Sequence, residues 1–276
     1  MTPDNFFELF ITELKDLPEL HQYYKFHGDK KSFGFRKNYF LQRLKYIDKS
    51  ISNYKNNDVS KLVIWDCGCG FGTTAFYLAM NNTVSYGSTL EYYFPFIEKR
   101  RNFWNQYGNS NLFTAGYEDI FQKSPAQDSV DIIIVQDTLH HLEPIDNALG
   151  ILYKTLKPGG VLLIIEENGG NIIQRAKLFK QRGNKKIIKL YDEELKREIV
   201  MGNENIRTYK EWEILLSKAH FSTDKNSLQY IRYYLPFMYN ENNVEQLAVK
   251  EQEIKNKFLQ DNFFFGINFL ALKKNS

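Results

Sequence analysis

Two adjacent histidines, His140 and His141, stand three and four residues after Asp137. Imidazoles titrate near neutral pH and suit general base catalysis, and a nearby carboxylate can orient or charge them. Upstream, Val63-Ile64-Trp65-Asp66-Cys67-Gly68-Cys69-Gly70-Phe71-Gly72-Thr73 places three glycines directly after an apolar run. Glycines there let the backbone turn sharply and let a ligand approach the main chain closely. Dinucleotide oxidoreductases use a related loop, but here the third glycine follows the second by two residues rather than three. Asp66 is a second difference. A carboxylate aimed into the loop repels a pyrophosphate and suits an ammonium group, while the start of the next helix favours a carboxylate. A zwitterionic amino-acid moiety satisfies both. The two cysteines, Cys67 and Cys69, are too close in sequence for an unstrained mutual disulfide. Without further cysteines or a nearby histidine they also offer too few ligands for a metal. They read as small packing residues, and no metal is expected.

These groups need a scaffold. Short apolar runs at 62–65, 84–90, 112–115, 130–135 and 161–165 alternate with helical stretches. That is the pattern of βαβ units and a parallel sheet covered on both faces. Residues 1–60 read as helical. Thr2 is the expected N-cap with Pro3 in the first turn, followed by Phe6, Phe7, Phe10, Ile11 and Leu14 at helical spacing. A second amphipathic stretch carries Tyr39, Phe40, Leu44 and Ile47, and residues 27–35, with Gly28 and Gly34, read as a loop between them. Residues 168–216 contain no strand-like run. Two late β-like runs, 228–235 and 263–272, flank a charged helical segment at 245–258. The expected architecture is an α/β, Rossmann-like, seven-stranded and mostly parallel sheet with helices on both faces. An N-terminal helical cap covers 1–60, and the domain at 61–276 carries a helical lid insertion at about 168–216.

The glycine loop resembles motif I of the class I S-adenosylmethionine-dependent methyltransferases, and later segments agree with that family in order. Glu91 stands 23 residues after Gly68, where the family has an acid accepting both ribose hydroxyls. Gly116-Tyr117-Glu118-Asp119-Ile120 resembles the third motif, which holds the adenine. Tyr117 stands where many relatives have Asp, which leaves Glu118 and Asp119 as the acidic candidates. Residues Gln136-Asp137-Thr138-Leu139-His140-His141-Leu142 resemble the fourth motif, and Leu156-Lys157-Pro158-Gly159-Gly160 resembles the turn before strand five. The resemblance spans residues 60–167. It implies S-adenosyl-L-methionine as cofactor and S-adenosyl-L-homocysteine as product. It also implies a cofactor site of Asp66, Gly68, Cys69, Gly70, Gly72, Glu91, Tyr92, Glu118, Asp119 and Gln136.

Within that family, His141, His140 and Asp137 are the candidates for chemistry on the acceptor. The spacing from Asp137 to His141 is similar to that of phosphoethanolamine methyltransferases, where the pair handles the amino substrate. The Leu-His-His-Leu run is shared with small-molecule enzymes such as the quinone-biosynthesis methyltransferases, where a histidine here packs or positions. A module that binds the cofactor without catalysis remains the alternative from another class.

The rest of the chain bears on the acceptor. With 276 residues, one domain with appendages is expected. The net charge of +3 is too small to imply a nucleic-acid surface. No Asn/Asp-Pro-Pro-aromatic motif follows the fourth run, and both cysteines lie in the glycine loop, so a nucleic-acid acceptor is not expected. Aromatics reach 16%, enough to line a pocket as well as fill a core. The start has no basic leader, and no apolar run approaches the roughly 18 residues of a membrane span. The expectation is a cytoplasmic protein in a reducing compartment. Between 168 and 191 lie seven basic residues (Arg175, Lys177, Lys180, Arg182, Lys185, Lys186, Lys189) and no acidic one. Ile172, Ala176 and Phe179 form an apolar stripe among them. Such a helix lies on an anionic membrane or covers an acidic substrate; the plainer reading is a lid helix with a solvated basic face. Tyr23, Tyr24, Arg36 and Tyr39 are candidate contacts for the acceptor or the methionine carboxylate. The expected acceptor is a small, partly apolar or anionic molecule.

Overall fold

The computed structural model describes residues 1–26, 30–54, 61–91, 93–240 and 242–274. It opens with helices α1 (Pro3–Glu13), α2 (Pro18–Tyr24) and α3 (Lys30–Asn53). Thr2 caps α1 as expected, its hydroxyl accepting from Asn5 N at 3.2 Å, and the helix buries Phe6, Phe7 and Phe10. The loop expected at 27–35 is helical from Lys30 onward, while residues 27–29 lie outside the described residues. Gly34 is therefore no turn residue. A Cβ there would sit 3.2 Å from Val244 Cγ2 and 3.4 Å from the Asn240 carbonyl, so the glycine permits close packing against the helix.

Next come β1 (Val63–Cys67), α4 (Thr73–Met80), β2 (Val84–Thr89), α5 (Phe96–Trp104), β3 (Phe113–Tyr117), β4 (Val130–Gln136), α6 (Ile145–Thr155) and β5 (Leu156–Glu167). The expected turn at 157–160 is an irregularity inside β5. Leu156 faces Val130 and Val161 faces Ile132, so the intervening residues bulge, with Gly159 at φ 74°. The chain continues through α7 (Ile172–Arg182), β6 (Ile187–Asp192), β7 (Arg197–Gly202), α8 (Tyr209–Lys218), β8 (Phe221–Ile231), α9 (Val244–Glu253), α10 (Lys257–Phe263) and β9 (Gly266–Lys273).

Three expectations are corrected here. The 168–216 excursion contains an antiparallel hairpin, β6 with β7. It buries little beyond Ile199, so no apolar alternation announced it, and only pairing between its own strands makes it extended. The first late strand starts at Phe221 rather than 228, because it lies at the end of the sheet, where polar residues are tolerated. The single helical segment expected at 245–258 is two helices, and the Asn256 side chain starts the second by accepting from Leu259 N at 3.1 Å.

Seven strands form the sheet in the order β3-β2-β1-β4-β5-β9-β8, with β6 and β7 apart from it. The pairs β1–β2, β2–β3 and β4–β5 are parallel, and β9 runs antiparallel to β5. Fully buried Ile64, Trp65, Ile133, Ile134, Leu163, Ile164 and Phe269 form its core. The fold is the seven-stranded, mostly parallel α/β architecture expected. The chain divides into two compact units, 1–118 with 231–255, and 119–230 with 256–276.

Within the first unit, α1 packs aromatic rings: Phe6 stacks on Trp104 at 4.4 Å and Phe10 on Phe40 at 5.0 Å. Among them Arg100 and Glu13 are fully buried and paired twice, at 2.8 and 2.7 Å. Arg100 also donates to the Phe71 carbonyl at 2.8 Å and to Thr73 Oγ1 at 2.7 Å. One buried ion pair thus ties the glycine loop and the start of α4 to the N-terminal helix.

Candidate active site

In the first unit the glycine loop is shaped by its own backbone. Gly68, Gly70 and Gly72 have φ of 85°, 52° and 75°, a region that side chains with a Cβ rarely enter. The amides of Gly68 and Cys69 both donate to the Ser88 carbonyl, at 2.8 and 3.0 Å, which fastens the loop to the end of β2. A Cβ at Gly72 would meet the Phe113 ring at 2.5 Å, whereas one at Gly70 would meet only Tyr93, at 4.0 Å. The loop is thus close-packed on one side and open at Gly70. Cys69 is a packing residue: a Cβ on Gly87 would lie 2.7 Å from its sulfur, and burial pushes both cysteine thiols up.

Asp66 lies in the buried part of β1, one residue before its end. It is 2% exposed, and its Oδ2 has no hydrogen-bond partner among the described residues. Burial pushes its carboxyl up to about 7. A buried carboxylate oxygen without a partner is costly unless a ligand supplies a donor. Glu91 follows β2 and is exposed, its amide donating to Thr89 Oγ1 at 3.1 Å. Tyr92 lies outside the described residues. Glu118 accepts a hydrogen bond from the Tyr86 hydroxyl, which burial and this carboxylate push up. The loop is floored by aromatic rings, Phe71 stacking on Tyr93 at 4.2 Å with Tyr23 edge-on to Tyr93 at 4.9 Å. Tyr24 donates to Thr73 Oγ1 at 2.8 Å, and Arg36 donates to the Tyr24 carbonyl at 3.3 Å. Tyr39 lies under the guanidinium groups of Arg43 and Arg232, at 4.4 and 4.1 Å.

In the second unit Asp137, with φ of 51°, turns the chain at the end of β4, its amide donating to the Ile165 carbonyl at 2.8 Å. Gln136 closes the strand ahead of it. His140 is buried, and its Nδ1 lies 2.5 Å from Glu166 Oε2. The other Glu166 oxygen accepts the amides of Thr138 and Leu139, at 2.9 and 2.6 Å. Burial opposes charge on the His140 ring, but Glu166, then Asp137 and Glu204, outweigh it and hold the ring up at about 9. His140 is therefore an imidazolium at neutral pH. His141 differs. It is partly exposed, and its Nδ1 lies 3.0 Å from the Gly202 carbonyl, which can only accept. That bond places a proton on Nδ1, and Nε2 lies 4.0 Å from Glu204 Oε1.

His140, His141 and Glu204 form the group of possible metal ligands among the described residues, with one atom from each inside 4.8 Å. Glu204 lies 3.7 Å from His140 Nε2 and 4.0 Å from His141 Nε2. Asp119 is buried and engaged, accepting from Phe121 N at 2.9 Å and pairing with Arg197 at the start of β7.

Residues 65–162 match the family model described as a methyltransferase domain. That segment, about a third of the chain, is similar to a methyltransferase domain. No curated protein matches the sequence. Among solved structures, an S-adenosylmethionine-dependent methyltransferase from Methanosarcina mazei is 20% identical, with a TM-score of 0.54, over 82% of this chain and 98% of that one. Phosphoethanolamine N-methyltransferase 2 from Haemonchus contortus, solved with S-adenosyl-L-methionine, is 16% identical at a TM-score of 0.56, over 85% of this chain and 53% of that one. The [4+2]-cyclase SpnF is 15% identical at 0.54, over 86% and 83%. At these identities the likeness is one of fold. The unpartnered Asp66 oxygen and the open side of Gly70 fit a ligand with an ammonium group at that loop.

Sequence reading missed Glu166, Glu204, Arg197, and the Arg100–Glu13 pair. Glu166 left one trace, as an acid ending the apolar run 161–165. The others sit in charged or amphipathic stretches where one more charge is unremarked.

Proposed function

We propose that this enzyme transfers the cofactor's methyl group to an oxygen, nitrogen or carbon of a small, partly apolar or anionic molecule, of the lipid, quinone-precursor or polyketide-like class. The observation that carries the reading is the division between the two histidines, His140 buried against Glu166 and His141 partly exposed with its Nδ1 bound to the Gly202 carbonyl. When bound, S-adenosylmethionine supplies an electrophilic methyl carbon on a sulfonium, and S-adenosylhomocysteine remains after transfer.

The chain's residues do the rest. Asp66 takes the ammonium group, the loop at Gly68, Cys69, Gly70 and Gly72 lies against the ligand, and Glu91 accepts the ribose hydroxyls. Gln136 and Tyr92 complete the cofactor site. Glu118 and Asp119 are the acids for the adenine amino group; each already has a partner, Tyr86 or Arg197, which the adenine must share or displace. His141 Nε2 accepts the acceptor's proton as its lone pair bonds to the methyl carbon and sulfur keeps the electrons of the broken bond. His140, charged and fixed by Glu166, positions an anionic or polar acceptor group, with Asp137 beside it. Residues 1–60 act as a helical cap on the domain at 61–276, and 168–216 act as its lid.

The test begins with calorimetric titration of S-adenosylmethionine, S-adenosylhomocysteine and NADH. Binding of the first two alone is expected. Transfer of labelled methyl is then assayed on phenolic, fatty-acyl and polyketide acceptors and on phosphoethanolamine. Phosphoethanolamine earns its place through the Asp137–His141 spacing and the nematode enzyme of similar fold. Transfer to an apolar or anionic acceptor, lost in His141→Gln with cofactor binding intact, supports the reading. Binding without transfer to any of them would mean a cofactor-binding module.

A further inference from the structure

The stripe Ile172, Ala176, Phe179 faces solvent rather than the protein. Leu178 is the one buried residue of α7, whereas Ile172 and Ile173 are 46% and 47% exposed and Phe179 is 64% exposed. At the helical turn of 100° per residue, Ile172, Ile173, Ala176 and Phe179 share an arc of roughly 120°. Arg175 and Arg182 lie beyond one edge of that arc, and Lys177 beyond the other; Lys180 sits near Ile173. The hairpin that follows also exposes apolar side chains, but its cations are offset by acids, Lys189 pairing with Glu198 at 3.7 Å. Ile187, Lys189 and Tyr191 share one face of β6 with Val200 across from Lys189, and Ile187, Tyr191 and Val200 are 48%, 57% and 36% exposed. Arg175, Lys177, Lys180 and Lys185 make no ion pair among the described residues.

An outward apolar arc rimmed by unpaired cations has no stabilising role in a chain surrounded by water. Exposed apolar patches of this kind mark an interaction surface. We infer that α7 forms a docking surface for an anionic lipid bilayer, with Ile172, Ile173 and Phe179 entering the headgroup boundary and the flanking Arg and Lys side chains meeting lipid phosphates. The charge pattern selects this occupant. Seven cations without an acid over 168–191 complement a negatively charged plane, and long basic side chains can lay their stems on the apolar zone while their charges reach phosphate. No helix among the described residues is long and apolar enough to cross a membrane, so the contact is superficial.

The test is flotation of the whole protein with vesicles of phosphatidylcholine alone and of phosphatidylcholine mixed with phosphatidylglycerol. The wild type is expected to float with the mixed vesicles, to stay behind with the neutral ones, and to be released by added salt. Phe179→Ser with Ile172→Ser, and separately Lys177→Glu with Lys180→Glu, should each cut the bound fraction at least tenfold. These side chains are exposed, so an unchanged Tm and unchanged S-adenosylmethionine titration certify each variant as folded. Equal binding to both vesicle types, no binding by the wild type, or variants that bind like the wild type would overturn the inference. So would a dimer in lipid-free sedimentation that Phe179→Ser dissociates, since a second copy would then cover the face. None of these readouts depends on methyl transfer, so the surface and the proposed reaction stand or fall separately.

Discussion

In the first unit the cofactor loop is shaped by neighbours in sequence: three glycines with left-handed φ within five positions, and two amides on one carbonyl of the adjoining strand. In the second unit His140 is held by a carboxylate 26 residues away and His141 by a carbonyl 61 residues away. The loop's geometry follows from backbone sterics that belong to glycine itself. The surroundings of each histidine follow from partners delivered by other elements, and two adjacent residues of one type acquire different partners and burial. Residue type alone therefore predicts shape in one place and chemistry in neither histidine.

The largest expected effect tests the histidine side of that contrast. His141→Gln should lower kcat by about 10²- to 10⁴-fold, the usual contribution of a general base. Cofactor affinity should not change. A parallel loss of affinity and rate would make His141 a structural residue. Next comes the support of the loop. Breaking the buried Arg100–Glu13 pair with Glu13→Gln strands a buried charge and should cost about 3–5 kcal/mol in urea unfolding. The double variant Glu13→Leu with Arg100→Met should recover much of that stability, because the penalty lies in the unpaired partner.

A smaller effect is expected at the exposed acid. Glu91→Ala should weaken S-adenosylmethionine binding by about 1.5–3 kcal/mol per lost charged hydrogen bond, with no change in Tm. An unchanged affinity would remove Glu91 from the ribose. The smallest and most diagnostic change concerns Asp66. Its carboxyl sits at about 7 in the free protein, so below that pH it must lose a proton before it can pair with an ammonium group. Affinity should therefore fall about tenfold per pH unit below 7, and binding should release a proton there. Asp66→Asn should flatten this dependence. A wild-type affinity that is level from pH 5 to 8 would mean that the orphaned oxygen meets something other than the ammonium group.

Much of the fold was legible because the sheet's central strands are continuous apolar runs, and such runs have few other homes. The elements that were misplaced have mixed composition. The β6–β7 hairpin and the polar start of β8 lie where burial imposes no pattern, so their strand character comes from pairing. Residues 30–35 were misread because Gly34 signals a turn in isolation, whereas here it makes room for Val244 from a distant helix.

By itself the sequence determined the succession of strands along the chain, the glycine loop with Asp66 just before it, and the motifs that follow. Each of these depends on local sterics or on apolar periodicity, which a short stretch of chain carries within itself. Tertiary structure alone decided that Glu166 holds His140 while the Gly202 carbonyl holds His141. It also decided that Arg197 engages Asp119, and that the apolar stripe of α7 faces outward. Those outcomes depend on burial and on the distance between charges, which exist only once remote segments are brought together.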